Sequence, residues 1–288
     1  MRLPRSSSGV QTPRLVASDL DGTLLRSDRT VSPYTREMLD RVRAQGIVVA
    51  PATARQVHGT VAIAQAAGFD WVVVSNGALV INLATGEIAS EITLLPEVQR
   101  AVVERLSAAL PGVEFVTVTT GGLFRTTPGY PALATFTDHN RDPATMQRVA
   151  LDELTDRPAL KLMARLPGTS PQELAARLVG LTQVEATWSG APVVEISAAG
   201  ATKAGGVAAL AVHLGVDLSE VIAYGDAAND IPMLRAVGHG VAMPGATADV
   251  IEVAAEMAPY GNDDDGVVRH LAELLGLEDH FQAIEQTA

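Results

Sequence analysis

The chain has 288 residues, 47% of them hydrophobic, enough for a full buried core and too apolar for a disordered chain; the length fits one large domain or a core carrying a second module. A formal net charge of −12 argues against general binding to a nucleic-acid backbone, although a local basic pocket for a small anion stays compatible with it. With no cysteine, disulfides, thiolate nucleophiles and cysteine zinc sites are excluded together, and a cytoplasmic location is expected.

Residues 1–13 contain arginines but no apolar stretch of signal-peptide length, and read as a flexible leader. The next piece, "LVAS", reads as a strand. A helix follows with Ser32 as its cap, Pro33 at its first position and Gly46 closing it, and then "IVVA", which completes a βαβ unit. A second helical stretch, "ARQVHGTVAIAQAAG", leads to "WVVVS". Late in the chain "VIAYG", a helix around "IPMLRAV" and "GVAM" repeat the alternation. Strands apolar almost throughout fit a parallel sheet covered on both faces, so residues 14–82 and 193–288 are expected to form an α/β, Rossmann-like doubly wound core. Between them "VINLATGEIAS" reads as a hairpin turning at Thr85-Gly86, and helical stretches near 96–110 and 171–181 lie among strand-like pieces. Residues 83–192 are therefore expected to be an inserted α+β domain. The apolar runs fall short of the roughly 18 residues a membrane span needs, so neither a membrane nor a nucleic-acid partner is expected.

Ligands of an open parallel sheet bind beyond the carboxyl ends of its strands. Four polar clusters fall there: "DLDGT" with Asp19 and Asp21, "ATAR" with Thr53 and Arg55, "SNGA" with Asn76 and Gly77, and "GDAAND" with Asp226, Asn229 and Asp230. Lys203, after "EISAAGAT", is a fifth candidate. Alternation along a strand would put Asp19 and Asp21 on one face. Asp-Gly is also a hairpin signal, but a capped helix follows where a hairpin partner should continue. In "GDAAND" an acid at a helix start explains itself as a cap worth about 1 kcal/mol. Acids recurring at two neighbouring strand ends need more, since each pair at about 5 Å costs roughly 3 kcal/mol at an effective dielectric near 20. A cation would turn that repulsion into attraction, and with oxygen donors alone Mg²⁺ is the expected ion. Lys203 would then serve as a point charge for phosphate and Thr53 as a hydroxyl donor, against the plainer readings of a solvated lysine and a threonine satisfying local backbone.

"DLDGTLL", the threonine of "ATAR", the lysine of "GATKAGGVAAL" and "GDAANDIPML" resemble, in order and spacing, the four motifs of the haloacid dehalogenase (HAD) superfamily. "SNGA", "VAMPGA" and "NDDDGV" are similar to its Cof-type phosphatases, which carry a large α/β cap between the second and third motifs. The resemblance covers nearly the whole chain from about residue 14. It implies a HAD fold and a Mg²⁺-dependent phosphomonoester hydrolase acting on a small phosphorylated metabolite, a sugar phosphate first and a phosphorylated cofactor (flavin mononucleotide or pyridoxal phosphate) next. Asp19 would be the nucleophile that becomes an aspartyl-phosphate, and Asp21 the general acid and base. Asp19, Asp21 through its backbone carbonyl, and Asp226 would hold the metal; Asp230, near it, and Asn229 would orient its waters or Lys203. Thr53 and Lys203 would hold the phosphoryl oxygens, with Arg55, Asn76 and Gly77 at the phosphate or substrate. A phosphotransferase or mutase on the same fold, and a non-catalytic metabolite sensor, are the rival readings.

Two positions depart from the family pattern: Ala54 stands where Thr-Gly-Arg is usual, and Gly245-Ala246-Thr247 replaces Gly-Asn-Ala. "GNDDDG" fails as a calcium loop, because aligning Gly266 with the loop glycine puts Gly261 and Ala272 at ligand positions; it reads as a loop and helix start near the site. His58, close after "ATAR", is a candidate to face substrate, with a surface or capping histidine as the commoner reading. Arg125, Lys161 and Arg165 are candidates for the non-phosphate end of a substrate, with charges at strand edges as the commoner reading.

Overall fold

In the computed structural model, which describes residues 12–139, 141–188 and 191–277, fourteen strands are defined. They are Leu15–Ser18 (β1), Val48–Pro51 (β2), Trp71–Val74 (β3), Leu79–Asn82 (β4), Ile88–Glu91 (β5), Glu114–Val118 (β6), Phe124–Thr126 (β7), Gln147–Arg148 (β8), Lys161–Arg165 (β9), Val184–Thr187 (β10), Val194–Ala198 (β11), Val221–Gly225 (β12), His239–Ala242 (β13) and Glu256–Met257 (β14). Residues 1–11, most of the expected leader, lie outside the described residues.

The core sheet runs β14-β13-β12-β1-β2, with every pair parallel. β3 continues it: Ala52 bridges Val73 in parallel, and the Thr53 amide donates to the Val73 carbonyl at 2.9 Å. Alternation along these strands splits their side chains between two apolar layers. Val16, Val49, Ile222 and Tyr224 pack with Met38, Leu39, Val42, Ala64, Val268 and Leu271. Leu15, Ala17, Ala50, Val221 and Ala223 pack on the opposite face with Val207, Leu210, Ala211, Met233 and Leu234. Helices thus cover both faces, which is why the strands carry no polar alternation. The helix Pro33–Ala44 starts as expected, with Ser32 Oγ accepting from the Thr35 amide at 2.9 Å.

A second sheet, ordered β10-β11-β9-β6-β7-β8, is antiparallel except for its β7–β8 edge. Phe115, Leu162, Ala164, Val194 and Ile196 on one face meet the helix Pro96–Ala109 and Leu174. The other face presents Val116, Val118, Phe124 and Met163 to Tyr130 and Met146. This is the inserted α+β unit. The hairpin β4–β5 pairs with β3, whereas β11 belongs to the second sheet. We therefore propose limits for the insertion near 92 and 199 in place of 83 and 192.

The acidic run after Tyr260 has a structural use. Asp265, at φ +57°, accepts from Ser32 Oγ (2.7 Å), Thr35 Oγ1 (2.9 Å) and Arg26 Nη2 (2.7 Å), which fastens the helix Gly266–Leu275 to the start of the helix after β1.

His139, buried in the second unit, is held by the Tyr130 hydroxyl at 2.8 Å. Burial pushes its pKa down from 6.5 to about 4. Between those values the unfolded chain binds a proton that the folded chain refuses. The contribution of His139 to stability should therefore be fully present above pH 6.5 and fall by about 3 kcal/mol as pH drops toward 4. Urea unfolding at pH 7 and pH 4.5 should show this loss in the wild type and a shallower one in His139→Gln; equal losses would assign it to other groups.

Candidate active site

β1 ends at Ser18, but its pairing goes one residue further, because the Asp19 amide donates to the Tyr224 carbonyl at 3.0 Å. The chain then turns through 20–24, with Gly22 at φ +80°. A Cβ at Gly22 would lie 2.5 Å from Asp226 Oδ2, so only glycine brings this turn down onto the end of β12. Thr23 Oγ1 donates to Asp226 Oδ1 at 2.6 Å, so the threonine of "DLDGT" holds the acid at the end of β12. Gly22 is a bend between parallel strands and not a hairpin tip.

The turn also corrects the expectation that Asp19 and Asp21 share a face. That rule holds only inside a strand, and the strand has ended. Asp19 is buried and faces Lys203, whereas the Asp21 side chain is 51% exposed and paired with Arg55, whose Nε donates to Asp21 Oδ2 at 2.7 Å. Arg55 thus meets the candidate acid and base.

Lys203 opens the helix Lys203–Leu214, whose cap Thr202 accepts from the Gly205 amide at 3.0 Å. Its buried ammonium lies 2.9 Å from Asp19 Oδ1 and 2.7 Å from Asp230 Oδ1. Asp230 Oδ2 accepts from the amides of Asp226 (3.1 Å) and Ala227 (3.0 Å). Both oxygens of Asp230 are engaged, so it orients Lys203 and the turn after β12. Carboxylate oxygens of Asp19, Asp226 and Asp230 lie within 4.8 Å of one another.

Burial pushes the Asp19 carboxyl up to about 7; Lys203 opposes this, and Asp230 and Asp226 add to it. Asp226 is raised as well, by burial first and then, against the Thr23 hydrogen bond, by Asp230. Burial alone would lower Lys203, but Asp19 and Asp230 outweigh it and hold the ammonium charged. Three acids against one lysine leave an excess of negative charge. The donors are all carboxylate oxygens, a set that suits Mg²⁺.

Thr53 is buried just beyond β2 and accepts from the Arg55 amide at 3.2 Å, which leaves its own proton to donate. Ala54 has no positive φ, so the methyl in place of the family's glycine is accommodated. Asn76 and Gly77 hold the third strand end. Asn76, at φ +56°, gives its amide group to Glu195 and Thr187 of the second sheet and accepts from Asn229 Nδ2 at 3.2 Å. Gly77, at φ +90°, packs on the Thr202 carbonyl so closely that no Cβ would fit, which makes close approach to the lysine helix its structural task. Thr247 starts the helix Ala248–Val253, and its amide donates to the Asp226 carbonyl at 3.4 Å.

The three basic residues weighed for the non-phosphate end of a substrate pair with acids instead. Arg125 pairs with Asp156 at 2.6 Å, Arg165 with Asp138 at 2.9 Å, and Lys161 with Glu195 at 2.8 Å. His58 stacks edge-on to Phe124 of the second sheet, with ring centroids 5.3 Å apart. Lys161 and Glu195 are buried, and the sequence signal for Glu195 was a lone charge inside the apolar run "PVVEISA".

Fold and site together define an α/β enzyme built around a carboxylate cluster and a buried lysine. Residues 16–271 match the family described as haloacid dehalogenase-like hydrolase, and the chain belongs to it. It is an enzyme of the HAD phosphatase type. The chain is 28% identical over 277 residues to the 5-amino-6-(5-phospho-D-ribitylamino)uracil phosphatase YitU of Bacillus subtilis, a match covering 92% of this chain and 98% of that one. It is 26% identical to the HMP-PP phosphatase of Cronobacter sakazakii, over 89% of this chain and 93% of the relative. In fold it resembles BT1666 of Bacteroides thetaiotaomicron, with a TM-score of 0.79 at 24% identity, covering 94% of this chain and 97% of that one. Among the described residues no helix is long and apolar enough to cross a membrane.

Proposed function

We propose that the protein is a Mg²⁺-dependent phosphomonoester hydrolase of small phosphorylated metabolites, working in the cytoplasm. The observation that carries this is the gathering of Asp19, Asp226 and Asp230 around a single buried lysine. Pure binding of an anion has no use for three carboxylates. Asp19, Asp226 and the Asp21 carbonyl would hold Mg²⁺, which when bound neutralises charge as the phosphate meets the carboxylates.

The chain's own groups divide the work. An Asp19 oxygen attacks phosphorus, forming the aspartyl-phosphate while the P–O bond to the alcohol breaks and Asp21 gives the leaving oxygen a proton. Asp21 then takes a proton from water as that water attacks phosphorus, which frees Asp19 and phosphate. Lys203 and Thr53 hold the phosphoryl oxygens. Arg55 fixes Asp21 at the edge of the site. Arg55→Ala should therefore lower kcat by more than about tenfold, with Arg55→Lys, which keeps the charge without the two-point geometry, recovering only part; an unchanged kcat would remove Arg55 from the proton path.

Sugar phosphates are the first substrate class, and flavin mononucleotide and pyridoxal phosphate the second. The phosphoribityl group in the name of the Bacillus relative supports a polyol phosphate. Phosphate release from a panel of these esters, with Mg²⁺ or with chelator and with Asp19→Asn as the blank, tests the reading. Tight binding of one ester without any turnover would replace it with a sensor.

A further inference from the structure

Lys161 and Glu195 are charged side chains of the second sheet, buried where Lys161 reaches the Ala54 carbonyl of the core. Lys161 opens β9 and is fully buried, and Glu195 lies on the adjacent β11 at 8% exposure. Lys161 Nζ donates to Glu195 Oε2 at 2.8 Å and to the Ala54 carbonyl at 3.0 Å. The same Glu195 oxygen accepts from Asn76 Nδ2 at 3.0 Å, and Asn76 Oδ1 accepts from Asn229 Nδ2 at 3.2 Å. One hydrogen-bonded path therefore joins three core loops: the peptide between Thr53 and Arg55, the turn after β3, and the turn after β12.

A buried ion pair is an expensive way to fill space, and apolar residues of similar volume often serve stability as well or better. What this pair adds is placement. Its contacts across the junction are a backbone carbonyl and a carboxamide, groups that apolar packing cannot orient. They belong to loops carrying proposed phosphate ligands. Asn76 also donates its amide to the Thr53 carbonyl at 2.9 Å, and Ser75 and Asn76 both hold left-handed φ values, +55° and +56°. Two successive non-glycine residues in that region persist only where their surroundings fix them.

We propose that Lys161 and Glu195 are positioning residues for the phosphoryl site: seated across the junction, they set the 54–55 peptide and Asn76, and through these the Thr53 hydroxyl and the Arg55–Asp21 pair. The inference rests on the phosphatase reading. A pair that only glued the two sheets together would affect activity solely through stability.

The test compares wild type, Lys161→Met, Glu195→Gln and the double variant Lys161→Met/Glu195→Leu, by thermal melting and by hydrolysis of p-nitrophenyl phosphate with Mg²⁺. The single variants each leave a partner unpaired and should melt earlier. The double variant removes both charges and should regain most of the melting temperature, yet its kcat should stay at least about tenfold below wild type, the scale expected of a small displacement in a reacting site, with KM changed far less. Calorimetric titration of inorganic phosphate in Mg²⁺ reads the same placement without turnover, and should show weaker binding by the double variant. A folded double variant with wild-type kcat and phosphate affinity overturns the inference and leaves the phosphatase reading intact. If the double variant does not fold, Glu195→Gln assayed below its melting range decides, and wild-type kcat there overturns the proposal. Wild-type protein with neither turnover nor phosphate affinity overturns both.

Discussion

Asp19→Asn should lose phosphatase activity by roughly 10⁴-fold or more, the scale seen when a nucleophile is removed from an otherwise intact site. It should keep its fold. The substitution is isosteric and leaves an oxygen for Lys203 Nζ, which now lies 2.9 Å from Asp19 Oδ1. It also removes a charge that the site tolerates poorly, since burial and the neighbouring Asp230 and Asp226 push the Asp19 carboxyl up to about 7 even against Lys203. The metal-free variant should therefore melt at the wild-type temperature or above it, while the rise in melting temperature on adding Mg²⁺ shrinks. Calorimetry and phosphate release on the same preparations check both halves. Full activity in a folded, metal-loaded Asp19→Asn variant would end the aspartyl-phosphate mechanism. A variant that is inactive and also unfolded would move Asp19 from the chemistry to the fold.

The core was legible because its signals are local. Ser32 and Pro33 announce the first helix, Gly46 and Gly68 close helices at positive φ, and unbroken apolar runs mark strands covered on both faces. The strand ends could be ranked as a site because parallel pairing forces them together. What stayed hidden depends on pairings distant in sequence. Alternation puts Asp19 and Asp21 on one face, but the turn at Gly22 separates a buried acid from an exposed one, and that turn is shaped by Asp226, more than two hundred residues away. Arg55 read as a phosphate ligand because nothing near it in sequence showed that Asp21 is its partner. Lys161 looked like a strand-edge charge for the same reason, its partners being Glu195 and the Ala54 carbonyl. The limits we propose for the insertion differ from 83 and 192 because a hairpin pattern does not say which sheet it joins.

The same long-range charge balance gives Lys203→Met the largest combined effect on stability and rate. Lys203 is the positive group that the structure places between Asp19 and Asp230, and all three are buried. Deleting one partner of a buried ionic set leaves uncompensated charge, which typically costs about 3–5 kcal/mol. Loss of one preorganised donor to a developing anion typically lowers kcat by roughly 10²–10³-fold. The wild-type ammonium, held charged by Asp19 and Asp230 against the opposing effect of burial, does not titrate near neutrality. The variant's pH response therefore comes from the acids left behind. Without Lys203 the Asp19 carboxyl, already raised by burial, loses the charge that opposes that rise and moves further above its unfolded value, so the folded variant holds a proton that the unfolded chain releases, and its stability falls as pH rises. Lys203→Met should accordingly melt well below wild type at pH 8 and recover much of the difference at pH 5. Mg²⁺, supplying positive charge to the same carboxylates, should raise its melting temperature more than that of wild type at pH 8. If the two proteins melt together at pH 8, or if the gap stays the same at pH 5, the acids are not held in balance by Lys203.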